Sequence, residues 1–174
     1  ITYIVQNNQV YGLTRGQTSP TSDHGFKTKS TPEGVIEPAT RPLAIAMAAG
    51  ATFLARGYAG DIMHLKKMII EGVQHKGFAL IDVLQPCVTF NKVNTYQWYQ
   101  QRISKLEKDA AYDPRNRDMA FKKAEEWGDK IPVGVYYRED RCTYEESLPM
   151  IAEKPLVDHD INNIDIDPII NTFI

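Results

Sequence analysis

The sequence has little cysteine, no long apolar run and no strong excess of either charge. Two cysteines, Cys87 and Cys142, occur among 174 residues. Two distant thiols are no disulfide framework, so we expect a reducing cytoplasm. No run approaches the roughly 18 apolar residues that cross a bilayer, and no signal peptide is visible. The formal net charge of −2 does not support binding to nucleic acid. We therefore expect neither a nucleic-acid partner nor a membrane partner.

The chain also lacks an initiating methionine, and its first residues already resemble a buried strand. Residues 2–6, TYIVQ, have the β-branched and aromatic content of a strand. Because a buried parallel strand has neighbours on both sides, we expect further residues upstream of Ile1. At the other end, residues 143–174 carry seven acidic side chains and one lysine. This bias predicts either a solvated, partly flexible tail or an arm that docks on a basic partner surface.

Between these ends, predicted strands and helices alternate. Pro42 opens a helix, because its missing N–H costs little in the first turn, and residues 51–56 predict a strand. The clearest helix runs from Asp61, its predicted N-cap, to Gly77, its stop signal. The almost continuous apolar run 78–84 predicts a strand covered on both faces. This order predicts an α/β fold with a parallel sheet flanked by helices. The remaining predicted elements are helices 96–108 and 117–127 and a strand 131–140 near a sheet edge.

Several side chains of these elements have structural interpretations. Asp82 lies inside an apolar strand and must find a hydrogen-bond partner. Trp98 and Tyr99 could line an interface, although two aromatic residues on a helix are more often part of the core, and Cys142 is interpreted as structural. His64 and His75 fall on the predicted polar side of the clearest helix and are expected at the surface. The predicted buried face of that helix consists of Ile62, Leu65, Ile69 and Val73.

A long polar loop follows the first strand. Residues 7–21, NNQVYGLTRGQTSPT, contain two glycines, one arginine and no acid. The loop begins with Asn7 and Asn8, and Cys87 follows the third strand. If both strands are parallel, these residues meet at the sheet edge where α/β proteins bind ligands. Asparagine oxygens suit Mg²⁺, and a hydroxyl- and glycine-rich loop can offer N–H groups to phosphate. From these residues alone, a plain turn and a metal site both remain open, and Cys87 also fits a buried, inert thiol.

Three blocks of the sequence together resemble one family. Residues 7–21 are similar to the second half of the thiamine-diphosphate motif in the β subunit of 2-oxoacid:ferredoxin oxidoreductases. Residues 53–91, FLARGYAGDIMHLKKMIIEGVQHKGFALIDVLQPCVTFN, and 120–137, AFKKAEEWGDKIPVGVYY, resemble the same subunit. The resemblance covers about residues 3–145. It implies the C-terminal half of a thiamine-diphosphate-binding (PP-type) domain in residues 1–95, a helical and extended extension in 96–142, and an acidic tail in 143–174.

The resemblance implies that the loop binds a cofactor. In this family the diphosphate is held through Mg²⁺. Two of the metal ligands match the Asn8 side chain and the Val10 backbone carbonyl, and a third is an upstream aspartate outside this sequence. Leu13 matches a position packed near the cofactor, and Thr14 matches a neighbour of the phosphates or substrate. Arg15 stands where lysine is usual, and it would bind either the 2-oxoacid carboxylate or a coenzyme A phosphate.

Cys87 is the second position with an implied role. The segment QPCVTFN matches the one that supplies the last cysteine ligand of a [4Fe–4S] cluster in this family. Such a cluster normally needs four thiolates, so the resemblance places the other three upstream.

The resemblance finally implies an activity and partners. The expected reaction is the coenzyme A-dependent oxidative decarboxylation of a 2-oxoacid to acyl-CoA and CO₂, with electrons passing through the cluster to ferredoxin. The expected partners are an α subunit and γ or δ subunits. Two alternatives stay open: a thiamine-diphosphate decarboxylase or synthase without a cluster, and a non-catalytic assembly subunit.

Overall fold

The computed structural model describes residues 1–160, 162 and 164–173. They form two units, Ile1–Arg141 and Cys142–Ile174. The expected division of the first unit at residue 95 stays a prediction. Among the described residues, no helix combines the length and the apolarity needed to span a bilayer.

A five-stranded sheet forms the centre of the first unit, in the order β1-β3-β2-β5-β4. β3 pairs in parallel with β1 and with β2, and β4 pairs in parallel with β5. β2 and β5 are antiparallel. The predicted α/β fold is confirmed, but the sheet is mixed rather than wholly parallel. β5 is also not an edge strand, because β4 covers its outer side. The strands are β1 Thr2–Asn7, β2 Phe53–Tyr58, β3 Ala79–Leu84, β4 Ile103–Lys105 and β5 Ile131–Arg138.

Helices cover both faces of this sheet, as a buried sheet requires. One apolar cluster joins Leu43 and Met47 to Leu54, Ala120 and Tyr136. A separate cluster packs a different helix against the opposite face, through contacts of Met68 with sheet residues. The helices of the first unit are α1 Pro42–Ala48, α2 Ile62–Gln74, α3 Tyr96–Gln100 and α4 Arg117–Glu125.

The orientation of α2 differs in part from the prediction. Its buried residues are His64, Met68 and Gly72. Of the predicted face, Leu65 and Ile69 are half-buried and pack against the core, whereas Ile62 and Val73 are 74% and 65% exposed. Periodicity could not settle the face, because apolar residues occur nearly all round this helix. Gly72 lies close against β3: a Cβ on it would stand 2.9 Å from Cδ1 of Ile81, so a larger residue there would require the Ile81 side chain to shift.

The prediction that two histidines of this helix region lie at the surface is also wrong. His64 is buried, and its Nε2 lies 3.0 Å from Oε1 of Glu107. His75 is half-buried, and its Nε2 lies 2.8 Å from the hydroxyl of Thr52. Burial, and secondarily the positive charge of Arg138, lower the pKa of His75. The partner of His64 lies 43 residues away, so local spacing did not predict this contact.

The predicted helix 96–108 is shorter than expected. α3 ends at Gln100, and Ile103–Lys105 forms β4 instead. These three residues pair with Ile131–Val133 of β5, so the tertiary contact overrides the local helical pattern. Tyr99 is fully buried, which confirms its predicted place in the core.

The described residues of the second unit include the short α-helices α5 Pro149–Ala152 and α6 Asp167–Ile170 and a 3-10 turn at Leu156–Asp158. Cys142 is an exposed free thiol rather than the structural residue expected, although the Ser147 hydroxyl lies 3.5 Å from its sulfur. Leu156, Val157 and Phe173 are exposed. The predicted alternation of isoleucines and acids in 161–174 includes positions 161, 163 and 174, which lie outside the described residues.

Candidate functional site

The loop after β1 and the segment after β3 leave the sheet at the same edge. Asn7 and Leu84 are register partners at the ends of the two parallel strands. The backbone N–H of Gln85 donates to the Asn7 carbonyl at 3.0 Å, which extends the pairing by one residue. The expected meeting of the two segments is therefore confirmed, at the edge where α/β proteins bind ligands.

The two asparagines at the start of the loop differ in their environment. Asn7 is buried, and its Oδ1 accepts a hydrogen bond from the Thr21 hydroxyl at 2.8 Å. Asn8 is half-buried, and across the described residues its side-chain amide makes no hydrogen bond. Its backbone carbonyl is held by Nδ2 of Asn91 at 3.3 Å. The backbone of Asn8 is thus fixed while its side-chain oxygen stays available to a ligand.

Gln9 fixes the shape of the loop between the two predicted metal ligands. Its φ of 53° lies in the left-handed region, where residues other than glycine are uncommon. The side chain is 1% exposed and points inward. Its Nε2 donates to the Thr21 carbonyl at 2.8 Å, and its Oε1 accepts from the Tyr99 hydroxyl at 2.9 Å. Burial raises the pKa of Tyr99, so this hydroxyl stays protonated and keeps donating.

The Val10 carbonyl is the second available oxygen. Val10 is 2% exposed, yet no hydrogen bond between described residues ends on its carbonyl oxygen. Buried carbonyls nearly always have a partner. An unpartnered carbonyl beside the free amide of Asn8 suits a bound cation, because Mg²⁺ prefers oxygen ligands. These two residues therefore fit part of a magnesium site.

Asp23 joins this loop to the rest of the site. Its Oδ1 accepts from Nε1 of Trp127 at 2.8 Å and from Nε2 of Gln9 at 3.3 Å, and its Oδ2 accepts from Nδ2 of Asn94 at 3.1 Å. Asn94 in turn accepts from Nδ2 of Asn91 at 3.0 Å. One carboxylate thus connects the loop after β1, the segment after Cys87 and the residues before β5. The sequence analysis missed Asp23, because its partners lie up to 104 residues away.

Cys87 lies against the loop. A Cβ on Gly12 would stand 3.5 Å from the Cys87 sulfur, and the thiol also packs beside the buried pair Val10 and Phe26. Cys87 is half-buried and unpaired. Because Cys142 belongs to the second unit, residues 1–141 can offer one thiolate of the four that a [4Fe–4S] cluster needs. Cys87 therefore fits one ligand position and cannot hold a cluster by itself.

The next three predicted residues face outward. Leu13 is fully exposed, and the Thr14 hydroxyl lies 2.5 Å from Oε1 of Gln17. Arg15 is exposed and has a left-handed backbone, with a φ of 73°. The structure does not bring these side chains into the network around Asp23, and their predicted contacts with cofactor and substrate stay predictions.

A buried ion pair supports the sheet next to the site. Arg56 of β2 and Asp82 of β3 are register partners, with 2.9 Å between Nε and Oδ2. Nη1 of Arg56 also donates to the Tyr136 hydroxyl at 3.1 Å. The expectation that Asp82 has a hydrogen-bond partner is confirmed. Arg56 was missed, although an arginine in one buried strand and an aspartate in the next could have indicated the pair.

No group of three histidine, cysteine, aspartate or glutamate side chains could hold a metal ion within the part of the chain that the structure describes. The candidate metal ligands at this edge are therefore an amide oxygen, a carbonyl oxygen and a single thiolate.

Two family models match the chain in succession. Residues 1–83 match the C-terminal TPP-binding domain of thiamine pyrophosphate enzymes. Residues 87–153 match the C-terminal part of the pyruvate ferredoxin oxidoreductase beta subunit. The first match contains the loop with Asn8 and Val10, and the second begins at Cys87.

Several curated proteins are similar to the chain. The 2-oxoacid:ferredoxin oxidoreductase subunit beta of Saccharolobus solfataricus is 46% identical in an alignment of 158 residues, and the match covers 85% of this chain and 52% of that protein. Subunit beta of 2-oxoacid:ferredoxin oxidoreductase 1 from Aeropyrum pernix is 48% identical over 158 residues, 85% of this chain and 50% of that protein. The chain thus spans about half the length of these relatives.

A solved structure is similar over nearly the whole chain. It is the 2-oxoglutarate:ferredoxin oxidoreductase from Magnetococcus marinus, with 2-oxoglutarate, coenzyme A and succinyl-CoA bound. The TM-score is 0.85 at 30% sequence identity, and the match covers 98% of this chain and 57% of that one.

Proposed function

We propose that this chain forms the part of a 2-oxoacid:ferredoxin oxidoreductase β subunit that anchors thiamine diphosphate. The chain belongs to the family of these β subunits. The proposed reaction converts a 2-oxoacid, coenzyme A and oxidised ferredoxin into acyl-CoA, CO₂ and reduced ferredoxin. The proposed partners are an α subunit, with γ or δ subunits, and ferredoxin. The proposed compartment is the cytoplasm, in keeping with two free thiols.

One observation carries this proposal. The loop after β1 satisfies most of its polar groups internally, yet the side-chain amide of Asn8 and the carbonyl of Val10 have no partner among the described residues. The two oxygens lie on either side of Gln9, whose inward side chain fixes their spacing. Two oxygens from the residues on either side of Gln9, neither of them hydrogen-bonded among the described residues, would suit Mg²⁺, which commonly takes one or two protein ligands together with substrate phosphates.

The remaining residues have roles that follow from their chemistry. The loop 7–21 has no acid, so it does not repel a diphosphate. Cys87 would supply one thiolate to a [4Fe–4S] cluster, and Arg15 would bind an anionic substrate group as a planar fork. When bound, thiamine diphosphate supplies the nucleophilic carbon and the electron sink for decarboxylation. Orientation of the diphosphate through the metal is the contribution of this chain.

The first experiment is a titration of the complete enzyme, the full-length β subunit with its partner subunits, with thiamine diphosphate and Mg²⁺. Because the side-chain amide of Asn8 makes no hydrogen bond to any other described residue, Asn8→Ala should leave the melting temperature unchanged. It should weaken cofactor affinity by at least about tenfold, the lower range for losing a partner of a bound metal. The matched control is Asn171→Ala, at an exposed asparagine that follows α6, and this variant should bind thiamine diphosphate with normal affinity.

The outcomes separate the proposal from its rivals. Cofactor binding that survives Asn8→Ala unchanged, or no saturable binding at all, would favour an assembly subunit without catalysis. Iron analysis of the same complex then tests the cluster: about four irons per β subunit, reduced by Cys87→Ser, support the oxidoreductase. Binding of the cofactor without iron would indicate a decarboxylase or synthase instead.

A further inference from the structure

Trp127 connects the two parts of the chain that match different family models. It lies in the second match, residues 87–153, whereas the loop after β1 lies in the first. The indole packs against a buried cluster that contains Leu84, the last residue of β3, and Tyr99. A residue in this place can connect the loop after β1 to the rigid part of the fold.

Contacts from the sheet side fix the indole ring. The guanidinium groups of Arg56 and Arg41 lie over the ring, 5.4 Å and 5.3 Å from its centroid. Arg56 is fully buried and is held by Asp82 at 2.9 Å. Tyr99 meets the indole almost edge-on, with an interplanar angle of 79°. Cation–π and edge-to-face contacts both depend on orientation, so together they favour one position of the Trp127 ring.

The polar edge of this fixed ring contacts the loop. Nε1 of Trp127 donates to Oδ1 of Asp23 at 2.8 Å, and the same oxygen accepts from Nε2 of Gln9 at 3.3 Å. At the other end of the Gln9 amide, Oε1 accepts from the Tyr99 hydroxyl at 2.9 Å. Trp127 is therefore in contact with two residues that hold the Gln9 side chain.

The backbone of Gln9 needs this support. Its φ of 53° lies in a region that residues other than glycine seldom adopt, and such a conformation persists only where the surroundings enforce it. Gln9 also separates Asn8 from Val10, the two predicted magnesium ligands. If the Gln9 side chain loosens, the spacing of the two ligand oxygens changes.

We propose that Trp127 is a positioning residue for the proposed metal site, an inference that rests on the proposed function. Its N–H acts through Asp23 and Gln9. These contacts set the spacing between the oxygens of Asn8 and Val10. The part of the chain that resembles the pyruvate ferredoxin oxidoreductase beta subunit thereby supports the loop of the thiamine-pyrophosphate-binding part.

The test begins with Trp127→Phe in the complete enzyme, which keeps an aromatic ring and removes the N–H. The matched control is Trp98→Phe, because the Trp98 ring also packs on Tyr99 but its indole N–H has no hydrogen bond to any described residue. Affinity for thiamine diphosphate with Mg²⁺ should fall about tenfold in Trp127→Phe, the lower range for a residue that supports a metal ligand. The control should keep the wild-type affinity. At saturating cofactor, kcat should match the wild type in both variants.

A double-mutant cycle tests the route through Asp23. Asp23→Ala removes the acceptor of the indole N–H. Trp127→Phe should then weaken cofactor affinity about tenfold in the wild type but less than about twofold in the Asp23→Ala background, because the contact is already lost there. An equal loss in both backgrounds would overturn the proposed route.

The choice of cation separates positioning from general destabilisation. Mg²⁺ requires near-ideal octahedral geometry at about 2.0–2.1 Å, whereas Ca²⁺ accepts flexible geometry at about 2.3–2.6 Å. Displaced oxygens therefore weaken Mg²⁺ more than Ca²⁺. The ratio of cofactor affinity with Mg²⁺ to that with Ca²⁺ should fall in Trp127→Phe and stay constant in Trp98→Phe. An unchanged ratio in Trp127→Phe would indicate a purely structural residue and overturn the positioning role.

Hydrogen exchange of the cofactor-free enzyme judges the loop independently of the proposed function. Local opening controls the exchange of backbone amides in residues 7–22. Loss of a hydrogen bond to a charged acceptor should make this exchange roughly tenfold faster in Trp127→Phe and should not change it in Trp98→Phe. No saturable binding of thiamine diphosphate to the wild type would refute the proposed function, whereas equal exchange in Trp127→Phe and the wild type would refute the support by Trp127.

Discussion

Replacement of Asp23 by asparagine should weaken cofactor binding without touching the proposed metal ligands. Asp23 has two carboxylate oxygens, and together they accept three hydrogen bonds, from Gln9, Asn94 and Trp127. Asparagine has the same shape but one oxygen fewer. If that oxygen stays with Trp127 and Gln9, the new amide group faces the amide group of Asn94, donor against donor.

The size of the effect follows from these contacts. Asn94 cannot turn its amide round, because its Oδ1 already accepts from Asn91 at 3.0 Å. One hydrogen bond to a charged acceptor is lost, worth about 1.5–3 kcal/mol. Asp23 is half-buried, so water offsets part of this loss, and about 2 kcal/mol of unfolding free energy is a reasonable expectation. For a chain of this size that corresponds to a fall in melting temperature of roughly 4–8 °C.

The functional effect should exceed the effect on stability. Gln9 separates Asn8 from Val10, so a displaced Gln9 changes the spacing of the two predicted oxygen ligands. Residues that support metal ligands typically contribute 10–100-fold to affinity, and we expect a loss of about that size for thiamine diphosphate with Mg²⁺. The assay is cofactor titration of the complete enzyme at a temperature well below both melting points.

A matched control separates positioning from general destabilisation. Asp129→Asn makes the same chemical change at an exposed aspartate that has no hydrogen bond to any described residue, and should leave affinity and melting temperature unchanged. Asp23→Glu keeps both oxygens and should recover part of the affinity. Cofactor affinity of Asp23→Asn within twofold of the wild type would refute the positioning role, whatever the melting temperature does.

Two further predictions concern charged groups of the sheet. Arg56→Met leaves Asp82 buried without its cation, which should lower the free energy of unfolding by about 3–5 kcal/mol and lower the melting temperature strongly. The control Arg115→Met removes an exposed ion pair and should lower the free energy of unfolding by less than about 1 kcal/mol. Equal effects of the two variants would contradict the importance of burial. Burial and Arg138 hold the pKa of His75 below its ordinary 6.5, so the unfolded chain binds this proton more readily and stability should fall as pH drops through about 6.5. Thermal unfolding between pH 5 and 8 measures this loss of stability. The loss should be smaller in His75→Gln and unchanged in the control His24→Gln. An identical loss in the wild type and both variants would exclude His75 as its source.

The sequence predicted the common edge of β1 and β3 better than it predicted the details of the other elements. β1 and β3 are apolar runs, and the helix before β3 has a clear N-cap at Asp61, although it ends at Gln74, three residues before the predicted stop signal Gly77. These signals are local, and together they predicted that β1 and β3 belong to one parallel sheet. The carboxyl ends of parallel strands lie at one edge, so the sequence also predicted that Asn8 and Cys87 lie at a common edge.

The elements that were predicted wrongly depend on distant contacts. Residues 103–105 are a strand only because residues 131–133 lie beside them, and three residues carry too little periodicity to indicate this. α2 has apolar residues on most sides, so its buried face is chosen by the fit of Gly72 against β3. His64 is buried because Glu107 lies within 3.0 Å of it, and no pattern within the helix indicates that partner.

The candidate ligands share one property that sequence patterns do not contain. Asn7, Gln9 and Asp23 are each bound by groups from elsewhere in the fold, whereas the side-chain amide of Asn8 and the carbonyl of Val10 are among the polar groups of this loop that have no partner in the described fold. Folding normally satisfies buried polar groups, so two free oxygens within a bonded network point to a ligand that completes it. Which asparagine of the pair Asn7-Asn8 is free depends on Thr21 and Asn91, from two different segments. The sequence could therefore locate the loop, and the structure is needed to choose the oxygen.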